Sequence, residues 1–286
     1  LARIPSILQA GLLWIFAVVL VIGAGLLVGA VAALVAIGTG LPPERAMELL
    51  FLDPTSSPLV TSATWISISS LTTEAVLALL IWRFLRRHRI FLHEVCPLGV
   101  PSLRDAVGSL LCVFGLSPLS ELLAELTRRQ LPRDANNAET LIIALTRGVT
   151  PLELVFVVAA AALVPAFVEE LFFRGLLTRG FLGRSNLLAL CVPSLMFGLF
   201  HLEPTQAAGA FVLGVGFGIA RLYTDSVLTS ILCHLVYNAY VLIDVYAGGR
   251  VGSTELHYGR VGLGLSLSAI GFGLMVLEPS GRGRLR

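Results

Sequence analysis

The sequence predicts an all-α protein, a polytopic transmembrane helical bundle of about eight spans. Three observations carry that prediction. Of 286 residues, 56% are apolar and only 13% are Asp, Glu, Lys or Arg, about half the charge of a soluble domain, roughly 25%. Mean hydropathy is +0.88, which excludes an aqueous surface over most of the chain. The apolar residues also gather into runs near the roughly 20 residues that a helix needs to cross hydrocarbon.

The runs lie near 8–37, 59–82, 105–126, 152–180, 187–202, 206–222, 227–246 and 260–277. The first carries no charge and far exceeds a signal-peptide core of roughly 7–15 residues, so it reads as a span. The second holds one acid, Glu74, and stops at the basic cluster Arg83, Arg86, Arg87 and Arg89. The third is interrupted by Pro118 and Glu121. The fourth carries Glu169, Glu170 and Arg174, and the fifth and sixth are short and divided by a turn at Glu203-Pro204. The seventh holds His234 and Asn238; the eighth is apolar and glycine-containing. Between the third and fourth runs, 127–150 is polar and reads as one loop with a surface helix. Gly25 with Gly29, and Gly214 with Gly218, are small-xxx-small pairs expected to let helices approach closely.

Composition excludes several functions. A net charge of +2 with the arginines spread among loops is not a nucleic-acid footprint. Cys96, Cys112, Cys191 and Cys233 show no CxxC spacing, so they read as small packing residues rather than a disulfide framework or thiolate metal site. With eight spans both termini share one side. All 20 basic residues are arginine; 13 of them fall with the termini and 7 opposite (Arg45, Arg128, Arg129, Arg133, Arg147, Arg250, Arg260). The positive-inside rule therefore predicts cytoplasmic termini.

Ionisable groups inside a span are costly and ask for a reason. Glu170 and Arg174 stand four apart with the carboxylate first, the favourable order for a helical ion pair. Glu169, turned about 100° away on the helix, has no partner in its own span. It must find one on another helix, which makes it a candidate general acid or base. If spans four and five form a hairpin turning near Gly183–Asn186, His201 stands level with Glu169, about 24 Å of helix from the turn. His234 and Asn238 are four apart and share a helix face. Imidazole and amide donors together suit an oxyanion at a hydrolysed carbonyl; the alternative is an interhelical hydrogen-bond pair that serves packing. Glu74 and Glu121 read as structural, with a substrate contact as the alternative.

These residues resemble the CAAX prenyl protease/ABI (CPBP) family of intramembrane endopeptidases, over roughly residues 150–246. Three ordered motifs carry the resemblance: EExxxR at Glu169–Arg174, FxxxH at Phe197–His201 and HxxxN at His234–Asn238. It implies that Glu169 and His201 activate a water, that His234 and Asn238 stabilise the oxyanion, and that Glu170 with Arg174 support the helix. It further implies an eight-helix fold whose cavity, between spans four, five and seven, opens to the cytoplasmic side. The chain then divides into an N-terminal transmembrane region, 1–149, and a catalytic core with a C-terminal span, 150–286.

The partners so implied are membrane lipid and a peptide or protein substrate cut near its C-terminus or close to the membrane. The family's eukaryotic substrates are prenylated CAAX proteins. In a prokaryote, a peptide, pheromone precursor, bacteriocin or membrane-protein tail fits better. No cofactor is required on the leading reading. The alternative is Zn2+ held by Glu169, His201 and His234, since catalytic zinc takes three N/O ligands and a water, although the HExxH spacing of soluble zinc proteases is absent. Two competing functions are a non-catalytic membrane scaffold or immunity protein using the same cavity, and a proton-coupled transporter. The latter expects an inverted repeat, which the sequence does not display.

Overall fold

A computed structural model describes residues 5–46, 62–131, 137–146, 148–248 and 258–276. Arg3, Arg133, Arg147, Arg250 and the tail arginines Arg282, Arg284 and Arg286, all used in the sidedness count, lie outside the described residues. Among the described residues every regular element is a helix, with no strand.

Helix starts follow local chemistry. α1 (Ile7–Gly38) opens on a reciprocal capping box between Ser6 and Gln9, which satisfies two otherwise orphaned donors. The same device, with Ser102 and Asp105, starts α4 (Leu103–Arg128). Thr150 and Glu153 start the long helix α6 (Pro151–Phe181), with Pro151 at its first position. Ser62 caps α2 (Ala63–His88) and Ser226 caps α9 (Val227–Tyr246). Between them lie the one-turn α3 (Leu92–Val95), α5 (Asn137–Thr146), α7 (Asn186–Phe200) and α8 (Pro204–Thr224); α10 (Tyr258–Val276) closes the order.

Seven helices (α1, α2, α4, α6, α8, α9 and α10) are long and apolar enough to cross a membrane. The fifth predicted span, α7, has only 15 residues, about 22 Å of rise against a hydrocarbon core of about 30 Å. α2 runs six residues beyond its predicted end, through Arg83, Arg86 and Arg87 to His88. Long side chains such as Arg can continue a span by reaching to the interface. Pro118 does not interrupt α4. On α1 the side chains of Leu12, Leu26, Leu27 and Leu34 are all more than half exposed, an apolar surface suited to lipid and not to water. This is a multi-pass integral membrane protein.

The core lies around α6. Phe172, Phe173, Leu176 and Leu177 are fully buried against Leu77 and Ile81 of α2, Phe197 and Phe200 of α7, Phe217 of α8 and Ile231 of α9. α6 contains two π-helical segments, Ala159–Leu163 and Leu171–Leu177. Such wide turns shift the hydrogen-bond ladder and recur at functional sites. Ala160 O accepts from Ser70 Oγ at 3.0 Å and Thr178 Oγ1 donates to Phe173 O at 2.9 Å. The loop after α3 plugs the second π segment: a Cβ at Gly175 would collide with Cys96 Sγ. Burial pushes the Cys96 thiol up to about 12.

The glycine expectation is half right. Gly214 and Gly218 do face close neighbours, Arg174 and Leu190, whereas Gly25 and Gly29 have open space around them. The closest approaches are between α4 and α10, where Gly108 meets Gly271 and Gly115 meets Gly264, backbone against backbone. α5 corrects another expectation. It is no surface helix at its end, because Leu145 packs with Val157 and Leu242 in a small second core. Arg174 and Arg221, counted with the cytoplasmic arginines, are 1% and 2% exposed; the count becomes eleven against seven.

Candidate active site

Arg174 anchors the site. Its Nη1 donates to Glu170 Oε1 at 2.9 Å and its Nη2 to Gly214 O at 2.9 Å. Its guanidinium carbon lies 4.5 Å from the Phe197 ring centroid and 5.4 Å from that of Phe217, within cation–π range. Gly214 lets this happen, since a Cβ there would stand 3.1 Å from Nη2. Both Glu170 and Arg174 are essentially inaccessible, so the pair is a buried structural charge centre.

Glu170 also reaches another helix. Its Oε1 lies 3.0 Å from His234 Nδ1 on α9. A carboxylate only accepts, so Nδ1 carries the hydrogen and Nε2 is the position turned to the site. That Nε2 stands 3.8 Å from Glu169 Oε2. The imidazole is further fixed by stacking on Phe217, centroids 4.7 Å apart, and by an edge contact with Phe197 at 5.6 Å.

His201 caps the C-terminus of α7, and its Nδ1 lies 2.9 Å from Phe197 O. A carbonyl likewise only accepts, which leaves Nε2 of the neutral ring as an acceptor. The turn that follows is sharp. Leu202 adopts φ +63°, a left-handed conformation that costs a non-glycine residue about 1–2 kcal/mol. Glu203 holds the turn: its carboxylate accepts from Thr205 N at 3.0 Å and Gln206 N at 2.6 Å, capping α8. Asn238, one turn past His234, donates weakly from Nδ2 to Ala161 O at 3.5 Å, on the first π segment of α6.

Glu169 therefore meets its neighbours from other helices. Besides His234, the Glu74 carboxyl of α2 is within hydrogen-bonding reach of it. Glu169 is 7% and Glu74 3% exposed. His201 and Glu169 share His234 and Arg174 as electrostatic neighbours. Glu74 was read from sequence as structural; spacing within α2 gives no sign that it faces a motif residue almost a hundred positions later. Glu121 is exposed and accepts from Ser117 Oγ at 3.2 Å. Glu125 is paired with Arg128 and Arg129 at the end of α4. Among the described residues no three His, Cys, Asp or Glu side chains converge as a metal set.

Residues 151–240 match the family model described as Rce1-like, type II CAAX prenyl endopeptidase. All three motifs lie within that stretch, and the resemblance read from them holds: this segment is similar to the CAAX protease type, a family of membrane endopeptidases. No curated protein and no solved structure matches the chain.

Proposed function

We propose that the protein is an intramembrane endopeptidase that hydrolyses a peptide bond near the C-terminus or membrane-proximal part of its substrate, using a water activated by Glu169 and His201. The observation that carries this reading is the convergence of Glu169 and His234 from two helices on one buried point, 3.8 Å apart, beside a structural Glu170–Arg174 pair. In the step proposed, the bare Nε2 of His201 accepts a hydrogen bond from the water and Glu169 takes its other proton. The hydroxide adds to the scissile carbonyl, and Glu169 returns the proton to the leaving amine as the C–N bond breaks. Because Nδ1–H of His234 is committed to Glu170, the ring position offered to the oxyanion is Nε2. Asn238 adds an amide donor from the same face.

The arginine distribution supports cytoplasmic termini, a reading that counts α7 with α8 as a pair of crossings. Glu169 lies about 18 Å of helix from Phe181, nearer the end of α6 that this reading puts in the cytoplasm.

The test is reconstitution of the purified protein in lipid nanodiscs with a farnesylated peptide ending in a CAAX sequence, its unprenylated counterpart and a membrane-anchored peptide. Release of a C-terminal fragment by mass spectrometry supports the reading and ranks substrate classes. Intact peptides throughout, with a partner retained by the same cavity, would favour the scaffold reading.

A further inference from the structure

The catalytic reading leaves one buried acid unused. Glu74 lies outside the family-matched segment, in the middle of α2, yet it is one of the least exposed charged-type side chains in the protein at 3%. Its Oε2 is buried without a hydrogen-bond partner. Its carboxyl stands within hydrogen-bonding reach of Glu169. The contact is held in register by the same helix face: Ser70, one turn earlier, donates to Ala160 O of α6 at 3.0 Å, and Leu77 and Ile81, one and two turns later, are buried in the core around Phe172 and Phe173.

Two carboxyl groups in low dielectric cannot both be anions at contact distance; they bond only through a proton held between them. The charged and titratable groups facing Glu169 are Glu74 from α2, His234 from α9, and Glu170 and Arg174 from its own helix. Arg174 and His234 are already committed to Glu170. Among the described residues the group that meets Glu74 is Glu169, so a doubly ionised pair with an orphaned oxygen would be a costly state. One proton held between Glu74 and Glu169 removes that cost.

We propose that Glu74 is a positioning residue for Glu169: the two carboxyl groups share one proton, and the hydrogen bond so formed fixes the orientation in which Glu169 meets the water. This rests on the proposed hydrolase reading. The shared proton stays with the pair through the cycle. The proton that moves is the one Glu169 takes from water and passes to the leaving amine, so the count closes after each turnover.

The test separates the hydrogen bond from packing. Glu74→Gln keeps a donor, whereas Glu74→Met keeps the volume without one. With equal melting temperatures, Glu74→Met is expected to lower kcat by about 10- to 100-fold at unchanged KM, the scale of a misaligned reacting group, and Glu74→Gln to retain most of kcat. Unchanged kcat in Glu74→Met, or equal loss in both variants, overturns the proposal. A second readout needs no cleavage. Infrared spectroscopy of the wild type at neutral pH should show the carbonyl stretch of a protonated carboxyl, lost in Glu74→Gln; absence of that band in the wild type, or its persistence in the variant, overturns the proposal independently. Should the wild type cleave none of the peptides, the hydrolase reading fails while the infrared result still decides whether the pair shares a proton.

Discussion

His234 Nδ1 and Arg174 Nη1 converge on a single oxygen, Glu170 Oε1, at 3.0 and 2.9 Å. One carboxylate thereby joins the charge centre of α6 to the imidazole of α9. Removing it should have two effects. Glu170→Ala leaves Arg174 buried beside three aromatic rings with only Gly214 O as partner, and breaking a buried pair costs about 3–5 kcal/mol. A large fall in melting temperature in detergent is expected. Glu170→Gln, which keeps the volume and an acceptor oxygen, should fold but lose activity as His234 loses its charged anchor.

The turn that carries His201 gives a second prediction. Glu203→Ala removes the cap of α8, at a cost of about 1 kcal/mol. It also frees the strained Leu202 and with it the His201 ring. Peptide cleavage should therefore fall by more than the modest loss of thermal stability accounts for. Parallel melting and kinetic measurements on the one variant check this.

Helix crossings should respond unequally to added side-chain bulk. Gly115→Val drives a Cβ into Gly264 O, 2.5 Å away in the present backbone, and overpacking of this kind costs about 1–3 kcal/mol. Gly25→Ala and Gly29→Ala meet open space and should leave stability within about 0.5 kcal/mol. Thermal denaturation of the three variants compares them directly.

Thiol reactivity reports on the loop that seals α6. Cys96, Cys112 and Cys233 are buried, and the Cys96 thiol, up near 12, holds almost no thiolate near neutrality. Maleimide should label none of the three until the protein is unfolded. Rapid labelling of Cys96 in the folded protein would mean that the loop leaves Gly175.

Most of the bundle was legible because the bilayer imposes a length on each helix, and capping residues such as Ser102 and Thr150 mark where helices begin. The motif residues were legible because Glu169, His201 and His234 are conspicuous in apolar surroundings. What was hidden depends on contacts between helices distant in sequence. Glu74 looked like a lone acid because its relation to Glu169 exists only once α2 packs on α6. Glu170 looked like half of an i,i+4 pair because its second partner is 64 positions away on α9. The close α4–α10 crossing was missed because Gly108 and Gly115, and Gly264 and Gly271, are spaced seven apart rather than four. Conversely, Gly25 and Gly29 had the familiar spacing, but among the described residues nothing lies within 4 Å of a Cβ at either.

The most direct measurement is cleavage of a quenched-fluorescence prenylated CAAX peptide by purified wild type and Glu169→Gln, each with and without a chelator. The account predicts turnover by the wild type that persists in chelator and is abolished in a Glu169→Gln protein of unchanged melting temperature. Full activity in Glu169→Gln, or loss of wild-type activity on chelation with recovery on added zinc, would contradict it.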